Sequence, residues 1–542
     1  MGYRRWKCHL ISIAYLLLPA LVQAGPPRPP LHHELQVRLD PAANTLQASD
    51  RITFPAPRSR FDFLLHAGLK PELKGPGATL APGERVAGPV PLRRWRVRFE
   101  PPSKRLDLTY RGRINQPFAT LSQGYAGGRR TTAGTISSKG VFLAGSSYWY
   151  PRPTGEDAML TFSLATGLPD GWLAVSQGRR GADGRSWEET APQDEIYLVA
   201  GPFHRYARRG PVAEAAVYLR DPDPALARRY LAATDRYLSL YDRLIGPYPY
   251  AKFALVENFW ESGYGMPSFT LLGPRVIRLP FILHSSYPHE ILHNWWGNGV
   301  YVDYATGNWS EGMTSYFADH LIREQQGKGA EYRRDTLQRY ADFVARDEDF
   351  PLRAFRGNRG EVSQAVGYGK MLMFLHMLRR QLGDRAFLAG IRRFYRDNRF
   401  RVAGFDDLRK ALEQAAGTGL GAMFRQWTGR AGAPALALEE LRVERDGTGY
   451  RVRGRLRQTQ AGAPFRLQVP LFLQLAGEPV AQSHPVEMEG REASLDIRID
   501  RRPLRLAVDP RFDLFRRLAP GETPPSLGRL FGARGVTILL PR

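Results

Sequence analysis

A chain of 542 residues is too long for one ordinary core, so two to four domains are expected. With 43% apolar, 11% aromatic and 24% charged residues, large-scale disorder is excluded. The formal charge of +24 would suit an anionic partner, but the arginines are scattered through every region without a dense basic run. No nucleic-acid interface is therefore expected, while weak contact with an anionic envelope surface stays open.

The N-terminus reads as a targeting segment. Arg4, Arg5 and Lys7 precede the apolar run ISIAYLLLPALV, and Val22-Gln23-Ala24 offers a small-residue cleavage site. Twelve residues fall short of the roughly 20 that a membrane-spanning helix needs, so no stable membrane insertion is expected after cleavage. Residues 1–24 are assigned to a signal peptide, which implies a periplasmic or secreted protein. Its removal takes away three positive charges and no acids, leaving +21. The single cysteine, Cys8, leaves with it. Any metal in the mature chain must then be held by His, Asp or Glu.

After the linker GPPRPP at 25–30, strand signals run from Glu34 to about Pro202. Leu35, Val37 and Leu39 alternate, as do Trp95, Val97 and Phe99, and then Leu106, Leu108 and Tyr110. A β-rich domain is assigned to 25–205. The period changes near Asp223-Pro224, a capping pair that starts a helix bearing Leu226, Tyr230, Tyr237, Leu240, Tyr241 and Leu244. Helical patterns dominate 206–432. Beyond Gly432-Ala433-Pro434 the segments YRVRGRLRQ, FRLQVPLFLQL, SLDIRI and LRLAV return to strands, enough for a small β-sandwich at 433–514. A tail at 515–542 ends in VTILLP, which reads as a lone strand. The fold class is multidomain α+β.

The chemistry concentrates in SSYPHEILHNWWGN, residues 285–298. His289 and His293 lie one turn apart on one helical face and can reach the same ion. Glu290, rotated by about 100°, can touch a water on that ion without ligating it. Catalytic zinc needs a third protein ligand and an open position. Glu311 in NWSEGMTSYF is the candidate, although an acid at a helix start is also explained by the helix dipole alone. Tyr368 in VGYGKMLMFL could donate to an oxyanion or simply pack in the core. Trp295 and Trp296 are expected to pack the metal-bearing helix against the core, and His320 and His376 to bond local carboxylates or backbone.

PHEILHNWWGN…NWSEGMTSYF resembles the signature of the aminopeptidase N family of zinc peptidases, the gluzincins. The resemblance extends from about residue 33 to 510, through IGPYPYAKFALVE, FDDLRKALEQAAG and FRQWTGRAGAPAL. It implies a thermolysin-like catalytic domain flanked by the two β domains, in a short form without the family's large C-terminal helical domain. It further implies one Zn²⁺ per chain on His289, His293 and Glu311, Glu290 as general base, Tyr368 at the oxyanion, and a peptide substrate. Two features depart from the family. The gap from His293 to Glu311 is seventeen residues where the family has eighteen, with the shortfall in VYVDYATG. The family's Gly-x-Met-Glu-Asn strand, whose glutamate pairs with the substrate's α-ammonium, reads GYGMPS here. Gly263, Tyr264, Gly265 and Met266 could still hold a peptide through backbone, and Glu257 or Glu261 could replace the missing anchor. An aminopeptidase-like enzyme with altered N-terminus recognition is expected. An endopeptidase or other hydrolase on the same site, or a non-catalytic zinc protein of the envelope, are the alternatives.

Overall fold

The computed structural model describes residues 29–120, 130–155, 159–344, 348–523 and 525–532. The signal peptide assigned to 1–24 and the VTILLP segment lie outside them.

The N-terminal region is built on β1 (Leu31–Asp40), β2 (Thr45–His66), β3 (Leu69–Leu73), β4 (Ala78–Val86), β5 (Leu92–Arg113), β6 (Leu160–Gly167) and β7 (Ser186–Gln193). They make up seven strands of a nine-stranded sheet in the order β7-β6-β1-β2-β5-β3, with β4 paired to the first half of β5; Arg152–Pro153 beside β2 and Arg179–Arg180 beside β7 complete it. β1 and β6 are parallel; the other neighbours along this order are antiparallel. The alternations expected from sequence are the buried rows: Leu35, Val37 and Leu39 on β1, then Val97, Phe99, Leu106, Leu108 and Tyr110 on β5, with Trp95 only half-buried. The inward parity of β5 switches from odd to even numbers, because the β2–β5 register shifts between Thr53 and Arg60 opposite the Pro101-Pro102 bend. A four-stranded sheet, containing Gly140–Leu143 and Leu198–Gly201, shares this core around Trp149 and Tyr150.

The chain then enters a mixed five-stranded sheet of β8 (His204–Arg209), β9 (Glu214–Leu219), β10 (Lys252–Glu257), β11 (Gly263–Met266) and β12 (Phe269–Leu272), in the order β8-β9-β10-β12-β11. β11 is one of the sheet's two antiparallel edge strands, β8 being the other. Helix α1 (Pro224–Leu244) starts where the sequence predicts: Asp223 accepts the Leu226 N–H at 2.8 Å and Pro224 needs no donor partner. Helices α2 (Ser286–Leu292), α3 (Ser310–Thr314), α4 (Met371–Asn398), α5 (Phe405–Ala416) and α6 (Gly421–Gly429) follow. π-Helical turns at Ser315–His320 and Ala365–Lys370 follow α3 and precede α4.

The C-terminal strands make three small sheets, and Val452 and Ile499 of one meet Leu473 and Leu475 of another in a thin sandwich core. A boundary at 433 or a tail from 515 is not visible in the packing. Leu456, Phe465 and Leu467 join the catalytic core, and Phe515, fully buried, stacks edge-on against Tyr340 and Trp427. Residues 514–518 therefore belong to the catalytic body, because the apolar positions Leu514, Phe515 and Leu518 have a hydrophobic wall to cover.

Candidate metal centre

Helix α2 presents one face to the core and the other to a cleft. Tyr287, Ile291, Leu292, Trp295 and Trp296 are fully buried, and the Trp295 indole donates to Gly246 O at 2.9 Å. Three and four residues apart, these anchors leave His289, Glu290 and His293 facing the cleft. The two tryptophans thus pack as the sequence suggests.

Glu311 comes from the first turn of α3. Asn308 Oδ1 accepts the Ser310 N–H at 3.0 Å, and Ser310 Oγ donates to Trp296 O at 2.8 Å, tying α3 to the end of the His-bearing segment. A Cβ at Gly312 would lie 2.3 Å from Met371 Cβ, so only glycine lets α3 approach α4 this closely. The shortened loop is accommodated. Tyr301–Val302 pairs with Val402–Ala403, and Glu311 still reaches both histidines.

Glu311 Oε2 stands 3.6 Å from His289 Nε2 and 3.6 Å from His293 Nε2. One donor atom from each of the three lies within 4.8 Å of the others. Zinc bonds of about 2.0–2.1 Å at tetrahedral angles put neighbouring donors about 3.3–3.4 Å apart, so the triad fits the ion with small adjustments. The far ring nitrogens are already committed: His289 Nδ1 meets Asp319 Oδ2 at 3.1 Å and His293 Nδ1 meets Trp296 O at 3.0 Å. Those partners place the Nδ1 protons outward and leave both Nε2 lone pairs free for a metal.

Burial disfavours charge on His289, but Asp319 and Glu311 outweigh it and raise its pKa well above the ordinary value. His293 is raised too, with burial opposed by Glu311. Burial would raise Glu311, yet His293 and His289 hold it far below the usual carboxylate range. Glu290 moves the other way, raised by burial despite both histidines. Two carboxylates in one pocket are thus pushed apart, one as an anion to bind a cation and one inclined to take a proton.

The cleft, of about 1390 Å³, is lined by this triad, Glu290, Tyr368 and strand β11. Tyr368 lies in the π-helical turn before α4, its ring edge-on to Phe355 at 5.9 Å. Gly263, Tyr264, Gly265 and Met266 all line the cleft. A Cβ at Gly265 would sit 2.8 Å from Glu290 Oε2 and 3.0 Å from His293 Cδ2, so the backbone passes directly over the reacting groups.

Glu257 and Glu261 do not reach this cleft. Glu257 is 2% exposed on β10, bonded to Arg278 Nη1 at 2.6 Å and to the Arg220 N–H at 2.8 Å. Glu261 turns to the Arg275 N–H at 3.1 Å. Both are corrected from candidate substrate anchors to structural acids, since neighbouring arginine side chains and backbone N–H groups hold them. Pro267 and Ser268 form the turn into β12. Ser268 is buried, donating its N–H to Asn294 Oδ1 and accepting from Lys252 Nζ at 2.9 Å, so it offers the cleft nothing.

His376 bonds a carboxylate as expected, though that of the distant Asp513, whereas His320 meets the Arg333 guanidinium rather than a carboxylate or backbone group. Sequence reasoning missed Asp319. Its spacing of eight from Glu311 puts it on the same helical face two turns on, a signal that was available. The Trp296 carbonyl carries no signal in residue type.

Residues 285–427 match the peptidase family M1 domain. The chain is 27% identical to an alanine/arginine aminopeptidase of Saccharomyces cerevisiae over 211 residues, which is 36% of this chain and 25% of that one. It is 22% identical to aminopeptidase N of Streptomyces lividans over 374 residues, 61% of this chain and 41% of that one. The matched stretch therefore spans from a quarter to two fifths of these relatives' length. Its fold is similar to an M1 zinc metallopeptidase of Deinococcus radiodurans solved with a Tyr-Ser-Ala substrate, at a TM-score of 0.56 and 20% identity, covering 74% of this chain and 94% of that one. With the HExxH helix, the distal glutamate and the fold in agreement, residues 285–427 carry a peptidase family M1 domain, and the chain is similar to aminopeptidases of that family over a wider stretch.

Proposed function

We propose that the protein is an exported zinc metallopeptidase that hydrolyses peptide bonds near a free N-terminus, with one Zn²⁺ per chain. The observation that carries the reading is the placement of Glu311 Oε2 at 3.6 Å from both His289 Nε2 and His293 Nε2, with each Nδ1 already bonded away. Zinc, when bound, supplies Lewis acidity to the scissile carbonyl and acidifies a water in its open position.

The chain's own residues do the rest. Glu290 Oε2 takes the proton of the attacking water and passes it to the leaving amine nitrogen, a task suited to a carboxylate whose pKa is raised. The Tyr368 hydroxyl donates to the carbonyl oxygen as it becomes anionic. Edge strand β11 pairs with the substrate backbone through Gly263 to Gly265, up to Pro267, which has no N–H to offer. The targeting segment at the N-terminus supports export to the periplasm or beyond. The +21 surface supports loose contact with anionic envelope polymers.

The test is a peptide library digested by the zinc-loaded protein beside Glu290→Gln. Cleavage that vanishes in the variant while zinc content stays at one per chain is the expected result. Full activity in Glu290→Gln overturns the assignment. Internal cuts that ignore the state of the N-terminus would make it an endopeptidase.

A further inference from the structure

Strand β11 carries no carboxylate, and Glu257 and Glu261 point elsewhere, so the cleft needs another acid if it is to hold a substrate amine. Four cleft-lining acids besides Glu290 and Glu311 are already engaged. Asp319 holds His289, Asp303 bonds Thr306 and the Ala305 N–H, Asp335 pairs with Arg334, and Glu195 accepts from Tyr197 Oη at 2.6 Å and from the Gly145 N–H. Asp194 differs. It lines the cleft and is exposed within it, and its carboxylate makes no ion pair or side-chain hydrogen bond among the described residues.

The turn that presents Asp194 is built rigidly. The buried Trp149 indole donates to Ile196 O at 3.1 Å, and the Ile196 N–H donates to the buried Tyr150 hydroxyl at 3.1 Å. Gln177 clamps both sides, donating to Glu195 O at 2.6 Å and accepting the Tyr197 N–H at 2.9 Å. Immobilising a short surface turn this thoroughly is what a preorganised binding group requires. The turn also sits against the segment leading to Glu311, since the Tyr301 hydroxyl donates to Pro192 O at 2.8 Å.

Charge at this corner is unbalanced. Among the described residues lining this wall, Asp194 and Glu195 are answered by Arg152, which donates to the Asp194 carbonyl at 3.3 Å. The cleft walls desolvate Asp194 and Glu195 repels it, so its pKa is raised. A visiting cation would relieve that cost. The corner belongs to the N-terminal wall of the cleft. Tyr264 of β11 stacks on Phe142 of the N-terminal region and bonds Thr131 Oγ1 at 3.0 Å, joining the edge strand to that wall. A peptide paired with β11 and starting at this wall would offer the acid its terminal amine.

Resting on the peptidase reading, we propose that Asp194, positioned by Glu195 and the Trp149–Tyr150–Gln177 clamp, binds the α-ammonium of the substrate. The amine anchor has thus moved from the catalytic strand to the N-terminal β-region, and the substrates are peptides with free N-termini.

The test uses the zinc-loaded full mature chain with Ala-Ala-Phe and Lys-Ala-Phe peptides, each free and N-acetylated. Wild type should favour the free forms by at least about tenfold in kcat/KM. Asp194→Asn should raise KM for both free peptides by about tenfold or more, with kcat changed less than about threefold, and should erase the preference over acetylated forms. A readout independent of turnover comes from Glu290→Gln protein, where calorimetry should give a Kd for free Ala-Ala-Phe about tenfold tighter than for its acetylated form, a gap lost when Asp194→Asn is added. Asp194→Glu, with equal zinc content and Tm, should restore part of the preference and so separates anchoring from folding. Hydrolysis that Glu290→Gln abolishes but that treats free and acetylated peptides alike would overturn the anchor while leaving the peptidase intact. An Asp194→Asn defect confined to Lys-Ala-Phe would also overturn it, by making the corner a pocket for basic side chains. No zinc-dependent hydrolysis by wild type would overturn both readings.

Discussion

Replacing Asp319 by Asn keeps the shape of the partner that holds His289 and removes its charge. The contact is 3.1 Å from Asp319 Oδ2 to His289 Nδ1, and both side chains are largely shielded, at 22% and 13% exposure. A hydrogen bond to a charged group in such a setting contributes about 1.5–3 kcal/mol. Loss of an outer-shell partner typically costs about 10–100-fold in metal affinity, or about 1.4–2.7 kcal/mol at 1.36 kcal/mol per decade. The two estimates overlap, so zinc affinity should fall by one to two decades. The sign of its pH dependence can also be worked out. Asp319 raises the pKa of His289 in the metal-free site, so at low pH zinc must displace a proton that the variant no longer holds as tightly. The deficit of Asp319→Asn should therefore be smaller at pH 6 than at pH 8. The assay is competition with a chromophoric chelator at the two pH values, with Tm recorded for the apo proteins. An unchanged zinc Kd at pH 8 would refute the orienting role. A deficit that shrinks as pH rises would refute the proton-competition argument.

Gly265→Ala should retain zinc but lose most of its kcat, because its Cβ would stand 2.8 Å from Glu290 Oε2 and crowd His293; zinc content beside turnover checks it. Tyr368→Phe should lower kcat by about 10²–10³ with KM little changed, as expected for a donor used only in the transition state, read in steady-state kinetics. Lys370→Met should destabilise the fold by about 1–3 kcal/mol, since the buried ammonium donates to Arg430 O at 2.7 Å and Gly432 O at 3.3 Å, as denaturant titration will show. Burial holds Lys370 at about 8 against an ordinary 10.5, so the unfolded chain binds more protons between those values. Wild-type stability should then rise relative to Lys370→Met across that pH window.

Much of this architecture was legible because it rests on period and type. The alternation on β1 and β5, the Asp223-Pro224 start of α1 and the His289–His293 pair are local signals, and each sits where local physics puts it. Glu311 was ambiguous in the sequence because a helix-start acid has a dipole explanation; tertiary packing through Gly312 and Ser310 brings it to the histidines. What stayed hidden is long-range. Glu257 reads as a loop acid near the substrate strand, and only the fold reveals Arg278 as its partner. Nothing in Gln-Asp-Glu-Ile at 193–196 announces that Trp149 and Tyr150, more than forty residues earlier, fix that turn at the cleft. The shift in β5 parity was likewise visible only in the change from odd to even positions, which two prolines separate.

The C-terminal residues also bear on the metal site. Asp513 accepts from Arg333 at 2.7 Å and from His376 at 2.9 Å, and all three side chains are at most 8% exposed. Arg333 also donates to His320 Nε2 at 2.9 Å, and burial with the neighbouring cation pushes that imidazole down to about 2, so it is neutral and can accept. His320 is the residue after Asp319, in the π-helical turn that delivers Asp319 to His289. Hydrogen bonds thus run from the segment after the β-sandwich to His320, and the backbone of the π-helical turn links His320 to Asp319, which bonds His289. Asp513→Ala leaves Arg333 buried beside His376 without its anion, a perturbation of about 3–5 kcal/mol. If the turn is held from this side, the variant should lose zinc affinity as well as Tm, and Asp513→Asn should lose less of both. A variant that loses Tm but binds zinc with the wild-type Kd would show that α3 and the Trp296 carbonyl suffice to place the ligands, and that the C-terminal segment only stabilises the fold.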